Sequence, residues 1–257
     1  MDIIWSVSFD VSIILDGVQL IRIMLGNVGS GKTACMVREM VLNKDMKTTY
    51  TNIILKKKTN TIQINREMIF TKKKIDKKEK IVFNAEFWKQ VKEDNDGINV
   101  VIDEAHTLIN SRRAMSNSNM VMNDFLALLR RILGDSGGYG ELVLITQLGR
   151  RLDINARELA TSVHYHLCHY RKECACGVSY WENNEKYGDT NKCPECGKAM
   201  KKVEFIIEKW EFASMDDYDM WNCNRIRTYK KHYYVTDIQD YFKFYDTFQW
   251  ENLISEY

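Results

Sequence analysis

The sequence predicts an α/β fold built on a mostly parallel central sheet, and three observations lead to that prediction. A glycine-rich loop, GNVGSGKT at residues 26–33, follows the apolar run 18–25 and precedes a helical pattern. Residues 98–102 and 141–145 are two more short apolar segments, of the kind that a parallel sheet buries on both faces. Each ends in polar residues, where open α/β sheets place their chemistry.

Length and composition are those of a globular chain with a real core. It has 257 residues, 45% of them hydrophobic, which suits one large α/β domain with a decoration. The formal net charge of +2 gives no global field that would indicate nucleic acid. We expect neither a membrane span nor a signal peptide, because no uncharged run is long enough and no basic stretch precedes the apolar N-terminus. Seven cysteines, four of them with metal-ligand spacing, indicate a reducing, cytoplasmic location.

Taken in order, residues 1–17 alternate apolar and polar side chains, which predicts a strand or hairpin at the sheet edge. The loop at 26–33 then fits G-x-x-x-x-G-K-[ST] at every fixed position. Its glycines let backbone N–H groups converge on a β-phosphate, Lys32 would reach the β- and γ-phosphates, and Thr33 would open a helix to about residue 42. The predicted ATP-binding residues are Gly26, Asn27, Val28, Gly29, Ser30, Gly31, Lys32 and Thr33.

Residues 49–55, TYTNIIL, are β-branched and predict a second core strand. Between residues 56 and 80 there are ten Lys or Arg against three acidic residues. This basic segment fits either a solvated edge hairpin or a surface that faces nucleic acid, and the sequence leaves both open. Its runs at 61–64, 68–70 and 80–83 suit small strands. After it, Asn84 predicts the N-cap of a helix to about residue 92 that buries Phe87, Trp88 and Val91.

The second chemical motif is the acid pair Asp103-Glu104 at the end of the apolar segment 98–102. Asp103 is expected to hold the Mg²⁺ hydration shell opposite Thr33, so these two residues are the predicted Mg²⁺ ligands. Glu104 is expected to polarise the water that attacks the γ-phosphate. The tetrapeptide DEAH also occurs in superfamily 2 RNA helicases, but those enzymes need two RecA-like lobes and this chain has room for one. His106 is therefore expected to be structural.

A third group of site residues follows the predicted strand at 141–145. Before it, residues 119–133 predict a helix with a buried face. Gln147 is expected to contact the attacking water or the γ-phosphate; the alternative is a polar residue that only closes the strand. Arg150 and Arg151 come next, ahead of Arg157 and a strand at 162–169. Since no arginine in cis is evident beside the γ-phosphate, a neighbouring subunit is expected to supply one, with Arg150 or Arg151 slightly favoured over a purely solubilising role.

The order of these motifs resembles the zonula occludens toxin-like ATPases. These are relatives of filamentous-phage assembly motors and archaeal-virus packaging ATPases in the FtsK/HerA group. The resemblance covers about residues 18–160 and is carried by GNVGSGKT, TYTNIIL, VVIDEAH, LLRRILG and LVLITQ, with YDT at 245–247 as a weaker match. It implies a RecA-like P-loop NTPase fold of the ASCE type, with Lys32 and Thr33 in Walker A. By the same resemblance Asp103 and Glu104 form Walker B, and Gln147 is the sensor.

The resemblance also implies a function: a homo-oligomeric ring, usually a hexamer, that hydrolyses ATP and translocates double-stranded DNA in viral genome packaging or virion assembly. A viral coat protein would be a further partner, and the location would be the host cytoplasm. The metal-binding insert and the missing membrane span depart from the phage-assembly relatives and favour the soluble packaging type. A monomeric phosphotransferase would need an acceptor pocket and lid, for which the sequence offers no candidate. A regulatory or partner-binding NTPase that does not act on DNA stays open.

The insert at residues 171–201 carries a predicted structural Zn²⁺ site. Its pattern is C-x-C-G followed by CPECG, with sixteen residues between Cys176 and Cys193, which presents four thiolates to one tetrahedral ion. The predicted ligands are Cys174, Cys176, Cys193 and Cys196. Because the first half lacks one residue of the usual C-x-x-C spacing, Cys168 or His169 could replace one ligand. We therefore expect an ATPase core at 1–170, a zinc ribbon at 171–201, and a return strand with a covering segment at 202–257.

Overall fold

The computed structural model of the chain describes residues 20–42, 47–75, 78–95, 97–108, 121, 124–126, 133, 140–182, 190–224 and 228–250. The hairpin predicted at 1–17 and most of the helix predicted at 119–133 lie outside the described residues. Within that helix, Phe125 and Leu126 are described and buried, as the pattern predicted.

The described residues form thirteen strands and five α-helices. The strands are β1 (Leu20–Leu25), β2 (Thr49–Thr51), β3 (Ile53–Leu55), β4 (Thr61–Gln63), β5 (Phe70–Ile75), β6 (Lys78–Phe83), β7 (Asn99–Ile102), β8 (Glu141–Ile145), β9 (Ser162–Glu173), β10 (Ser179–Trp181), β11 (Lys201–Phe212), β12 (Lys231–Val235) and β13 (Tyr245–Trp250). The helices are α1 (Lys32–Leu42), α2 (Arg66–Ile69), α3 (Ala85–Asp94), α4 (Ile154–Glu158) and α5 (Met215–Asn222). Short 3-10 helices cover Ala105–Thr107, Gly149–Arg151 and Ile238–Phe244.

A nine-stranded sheet organises the fold, in the order β12-β11-β9-β1-β8-β7-β2-β4, with β10 added on β9. The six strands from β9 to β4 pair in parallel, and β10, β11 and β12 are antiparallel additions. The predicted mostly parallel sheet is confirmed. The strand β8 lies between β1 and β7, so the strand before the phosphate-binding loop and the strand before the acid pair do not pair with each other.

Apolar side chains fill both faces of this sheet. Alternate residues of β1 point to opposite sides, so Ile23 joins a cluster with Trp88 of α3 and Phe212, whereas Met24 packs with Val37 of α1. Each face is therefore covered by helices, as a parallel sheet requires. None of the helices in the described ranges is long and apolar enough to cross a membrane.

The prediction of one core strand at 49–55 is wrong for the second half of that segment. Only β2 belongs to the main sheet, and β3 leaves it to pair with β13. The break is at Asn52, whose buried side chain bonds the backbone of Asp103, while the Thr51 hydroxyl oxygen accepts a hydrogen bond from the N–H of Ile53 at 3.1 Å. The two polar side chains capture backbone groups that a continuous strand would pair.

The basic segment is also partly different from its prediction. Residues 61–63 form β4 at the sheet edge, but Met68 lies in the short helix α2, because Asn65 accepts a hydrogen bond from its N–H and starts a helical turn. The hairpin of β5 and β6 follows. The predicted cap of α3 is confirmed: the side chain of Asn84 accepts from Phe87 N at 3.3 Å.

A buried group of charges ties α1 to the sheet. The Nη2 atom of Arg22 on β1 lies 2.8 Å from Glu39 Oε2 on α1 and 2.7 Å from Glu141 Oε2 on β8. Lys209 on β11 lies 3.4 Å from Glu39 Oε1. Burial alone would raise the pKa of Glu39, but Arg22 and Lys209 outweigh it and lower the pKa to about 2. The two cations therefore keep this carboxylate charged inside the fold.

Replacing Arg22 with methionine should lower the free energy of unfolding by about 3 kcal/mol at pH 7, because it leaves Glu39 and Glu141 without their shared cation. In the wild type Glu39 stabilises the fold above the unfolded pKa of about 4.3 and loses that effect as the pH falls towards 2. The difference between the two proteins should therefore shrink below about pH 5. Chemical denaturation at pH 7 and pH 3 measures it.

The matched control is Lys89→Met, which removes one partner of the exposed pair with Glu93, 3.8 Å apart. That change should alter stability by less than about 0.5 kcal/mol at either pH. Equal losses for the two variants would contradict the role assigned to the buried group.

Candidate functional site

The loop after β1 is folded tightly against the strands β9 and β11. Gly26 has φ +147° and Gly31 has φ +86°, which are conformations that residues with a Cβ rarely adopt. A Cβ on Gly26 would lie 2.4 Å from the carbonyl oxygen of His166, and one on Gly31 would lie 2.3 Å from Cδ1 of Ile207. Both glycines are therefore required by close contacts as well as by the turn. The loop tip at residues 27–29 is exposed.

Lys32, the first residue of α1, points back into this loop. Its Nζ donates to the carbonyl oxygens of Gly26 at 2.8 Å and Asn27 at 2.9 Å, and to Ser30 Oγ at 3.3 Å. Burial lowers the pKa of Lys32, and the carboxylates of Asp103 and Glu104 oppose that effect. All three acceptors are neutral oxygens. The loop thus holds a buried cation at the N-terminus of a helix, an arrangement that suits a phosphate group.

The acid pair lies beside the start of α1. The hydroxyl of Thr33 donates to Asp103 Oδ2 at 2.9 Å, and Asp103 Oδ1 accepts from the N–H of Glu104 at 2.9 Å. Burial raises the pKa of Asp103, and the bond from Thr33 opposes that shift. The hydroxyl and carboxylate oxygens are hard ligands of the type that Mg²⁺ prefers, so the donor set fits the ion expected from the sequence.

Asn52 is a site residue that the sequence reasoning missed. Its side chain is 2% exposed, and it receives the N–H of Asp103 at 2.7 Å and donates to the carbonyl of Asp103 at 3.0 Å. These two bonds continue the pairing of β2 with β7 by one step, with a side chain in place of a backbone. Asparagine can do this because its amide offers one donor and one acceptor. The signal in the sequence was an asparagine inside an otherwise β-branched run.

Glu104 is held by a hydrogen bond from Gln147, at the end of the neighbouring strand β8. Gln147, which follows β8, donates from Nε2 to Glu104 Oε1 at 3.2 Å. The other oxygen, Oε2, lies 3.2 Å from Nδ1 of His106 but receives no hydrogen bond from any described residue. Glu104 has φ +51°, an uncommon conformation for a residue with a side chain. The strained backbone and one unsatisfied carboxylate oxygen are typical of a functional position.

His106 lies beside this carboxylate and is anchored by Thr146, whose Oγ1 is 3.3 Å from Nδ1. Burial lowers its pKa below the usual value despite the charge of Glu104, so the imidazole is neutral at pH 7. Tyr245, from the YDT segment, also lies near the acid pair. Burial, with a smaller effect of the Asp103 charge, raises the pKa of Tyr245 to about 12, which keeps its phenol protonated.

The structure thus brings Lys32, Thr33, Asp103, Glu104 and Gln147 to one edge of the sheet. The two arginines singled out by the sequence are not among the partners in these hydrogen bonds, although Arg151 is close enough for its charge to contribute to the lowered pKa of His106. Arg150 and Arg151 are exposed on the 3-10 turn that follows Gln147. Arg157 is half-buried on α4. Arg130 and Arg131, two further arginines that flank the predicted strand at 141–145 in the LLRRILG motif, lie outside the described residues.

The four cysteines of the insert converge at the far ends of β9 and β11. Their sulfur atoms all lie within 4.8 Å of one another, with 3.4 Å between Cys174 and Cys196 and 3.5 Å between Cys176 and Cys193. A tetrahedral zinc site with Zn–S bonds of 2.3 Å separates its sulfurs by about 3.8 Å, so the cluster fits the ion.

Two similar turns carry these cysteines. In the first, the N–H of Gly177 donates to Cys174 O at 2.9 Å; in the second, the N–H of Gly197 donates to Cys193 O at 2.9 Å. The first turn is one residue shorter, which matches its C-x-C spacing. The substitute ligand His169 is engaged elsewhere, with Nε2 2.7 Å from Glu208 Oε2.

Comparison with known proteins gives one family. A model of the family described as zonular occludens toxin (Zot) matches residues 20–203. No match was found among curated proteins.

Three solved structures are similar to this chain at low sequence identity. The N-terminal domain of zonular occludens toxin from Neisseria meningitidis is 18% identical, with a TM-score of 0.48, and the match covers 90% of this chain and 100% of that one. B204, the DNA-packaging ATPase from Sulfolobus turreted icosahedral virus, is 16% identical with a TM-score of 0.41, over 77% and 94% of the two chains. The genome packaging NTPase B204 from Sulfolobus turreted icosahedral virus 2, in complex with ATP-gammaS, is 16% identical with a TM-score of 0.40, over the same 77% and 94%.

The segment matched by the family model runs from β1 into β11 and makes up more than half of the chain. It contains the phosphate-binding loop, the acid pair, Gln147 and all four clustered cysteines. Within that segment Lys32 is held in the loop, and the hydroxyl of Thr33 is bonded to Asp103. The chain belongs to the zonular occludens toxin family, and it is a P-loop ATPase.

Proposed function

We propose that this chain is the subunit of a ring-shaped motor, most simply a hexamer, that uses Mg²⁺-dependent ATP hydrolysis to translocate double-stranded DNA in viral genome packaging or virion assembly. The observation that carries the catalytic part is the 2.9 Å bond from Thr33 to Asp103, next to a glutamate held by Gln147. A viral coat protein is the further partner expected of such a motor, and its place of action is the host cytoplasm.

Binding of the substrate follows from the loop. The backbone N–H groups of residues 26–33 and the ammonium of Lys32 would hold the phosphates of ATP, since the three bonds of Lys32 go to neutral oxygens and leave its charge to be balanced by an anion. Thr33 and Asp103 would hold Mg²⁺, which supplies charge neutralisation on the phosphate oxygens. Asn52 would keep Asp103 in place through its two backbone bonds.

Hydrolysis requires a positioned water and stabilised charge more than covalent help. Glu104 is the residue that would accept hydrogen bonding from the attacking water, because its Oε2 lacks a hydrogen bond from any residue that the structure describes. Gln147 donates to the other oxygen and so fixes the carboxylate, and the same amide can sense whether a γ-phosphate is present. The neutral His106 would limit rotation of the Glu104 carboxylate by its contact with Oε2, and it would not neutralise the charge of that carboxylate.

The ring is proposed because the charge on the γ-phosphate needs a second cation. Arg22 and Arg38 are paired with carboxylates of Glu39 and Asp237, away from this edge. Arg150 and Arg151 are exposed on a turn directly after Gln147, where they can reach a neighbour's site. An arginine supplied in trans contributes roughly 10³ to 10⁵ in rate in enzymes that use one. The geometry gives Arg150 and Arg151 equal standing as the arginine that acts in trans.

The DNA substrate is proposed from the motif order, which resembles that of ring-forming DNA translocases. The alternative is a regulatory or partner-binding NTPase that does not act on DNA. Stimulation of hydrolysis by duplex DNA separates the two functions, since only a translocase couples its turnover to DNA.

The cysteine cluster is proposed to hold one structural Zn²⁺ through Cys174, Cys176, Cys193 and Cys196. Four thiolates leave no open position for catalysis, so the ion would stabilise the insert and not the reaction. On this proposal the chain divides into an ATPase core at 1–170, a zinc ribbon at 171–201, and a returning segment at 202–257.

The chemistry is tested with two variants. Lys32→Ala should abolish ATP binding and hydrolysis, because it removes the cation from the phosphate loop. Glu104→Gln should keep ATP binding and lose at least about 10²-fold in kcat, since it keeps the shape and removes the charge that polarises water. Equilibrium nucleotide binding and phosphate release measure the two effects. Near-normal turnover in Glu104→Gln would remove Glu104 from this role.

The arginine in trans is tested by mixing inactive proteins. Arg150→Ala and Arg151→Ala are each combined with Lys32→Ala, so that a mixed ring can place an intact loop beside an intact arginine. Recovery of ATPase activity upon mixing is expected for the arginine that acts in trans, and Arg157→Ala serves as the comparison. Full activity of a strictly monomeric wild type, unchanged by dilution, would rule out the ring.

The metal site is tested by elemental analysis of the reduced, full-length protein, which should contain about one zinc per chain. Cys193→Ser should lose the metal and keep ATP binding, because the cluster lies at the far ends of β9 and β11. Cys223→Ser, a change at an exposed cysteine outside the cluster, is the matched control and should keep the zinc. Freshly prepared wild type without zinc would refute the site.

A further inference from the structure

The hairpin of β5 and β6 carries a dense cluster of lysines. Its fourteen residues, 70–83, contain six lysines, no arginine and two acidic residues. The side chains of Lys72, Lys73, Lys74, Lys78 and Lys80 are all exposed. None of these residues touches the ATP site, so the chemistry described above does not explain them.

The register of the hairpin collects three of these lysines on one face. Lys73 is directly opposite Lys80, and Ile75 is directly opposite Lys78. Residues directly opposite in an antiparallel pair share a face, so Lys73, Lys78 and Lys80 point to the same side. Like charges in directly opposite positions destabilise a hairpin. We call this side, defined by Lys73, Lys78 and Lys80, the lysine face.

Little negative charge balances the lysine face. Lys73 is 3.0 Å from Glu86, a side chain that is 83% exposed, and Lys72 on the other face is 4.0 Å from Glu79. Lys78 and Lys80 have no ion-pair partner among the residues that the structure describes. The charge is therefore available to an outside anion.

The base of the hairpin is fixed to the core. Phe83 is 6% exposed and its ring lies 5.4 Å from that of Phe125, and its strand partner Phe70 packs against the same cluster. The exposed lysines therefore lie on paired strands that are anchored at one end. Paired strands lose less conformational entropy upon binding than a loose lysine-rich loop would.

We infer that the lysine face binds the phosphate backbone of duplex DNA without reading its sequence. This inference rests on the proposed DNA translocase function and names the surface that would contact the substrate. Lysines act as point charges on phosphates, and residues 70–83 contain no arginine, asparagine or glutamine for bidentate contacts to bases in the groove.

The types of side chain that do not occur in the described part of the hairpin narrow the choice of partner further. No exposed aromatic side chain is present there for bases to stack upon, so single-stranded DNA is disfavoured. A contact that neutralises phosphates regardless of sequence also suits an enzyme that moves along DNA.

The test compares two triple variants of equal charge in the full-length protein. Lys73→Gln, Lys78→Gln and Lys80→Gln together remove the lysine face, and Lys89→Gln, Lys230→Gln and Lys243→Gln remove three exposed lysines elsewhere. Affinity for a duplex of mixed sequence is measured as a function of salt, with single-stranded DNA and vesicles containing anionic lipid as further probes. ATPase activity without DNA serves as the control for folding.

Three lost phosphate contacts should reduce the slope of log affinity against log salt by about 2 to 3, and weaken duplex binding at 0.1 M salt by roughly two orders of magnitude. The control variant should bind like the wild type, and both variants should keep the basal ATPase rate. Equal duplex binding by the two variants would overturn the inference while leaving the motor function intact. A wild type that binds no duplex at all would instead count against the proposed function. Preferential loss of vesicle binding would assign the face to membranes and overturn the inference.

Discussion

The arrangement of the site depends on the parallel pairing of three strands. Met24 of β1 is in register with Ile145 of β8, and Leu144 of β8 with Ile102 of β7. The three strands therefore end at the same level, and the loop, Gln147 and the acid pair emerge together although up to 120 residues separate them in sequence. A slip of two residues in either pairing would move one partner by about 6.6 Å, beyond the reach of the Thr33–Asp103 and Gln147–Glu104 hydrogen bonds.

Strand ends were the part of this fold that the sequence could reveal. Buried parallel strands are short apolar runs, so the polar residues that follow them are easy to recognise in the sequence. Lys32, Asp103, Glu104 and Gln147 were therefore predicted to lie together, and they do. Contacts made by a side chain in place of a backbone leave no such pattern. Asn52 was read as part of a strand because its neighbours are β-branched, and only the structure shows that its amide replaces a ladder step and sends β3 to another sheet.

Long-range partners were similarly hidden. The pairing of Arg22 with Glu39 and Glu141 joins residues that no local periodicity connects, and the orientation of the lysine face depends on a hairpin register that lysine-rich composition does not specify. The cysteine spacing, in contrast, did predict the thiolate cluster. Such a cluster is built from local turns, and their glycines and cysteine spacing can be recognised in the sequence. Local turns and the shared edge of parallel strands were therefore predictable, whereas the long-range side-chain partners and the hairpin register were not.

The strands that carry the cysteine cluster also support the phosphate-binding loop. The carbonyl of His166 on β9 closes over Gly26, and the side chain of Ile207 on β11 closes over Gly31. For anyone who builds chimeras between relatives, this sets a cutting point. If only the segment between the paired residues Tyr170 and Phe205 is exchanged, both contacts are kept. An exchange that includes His166 and Ile207 would replace the side chains and backbone that pack against the ATP-binding loop.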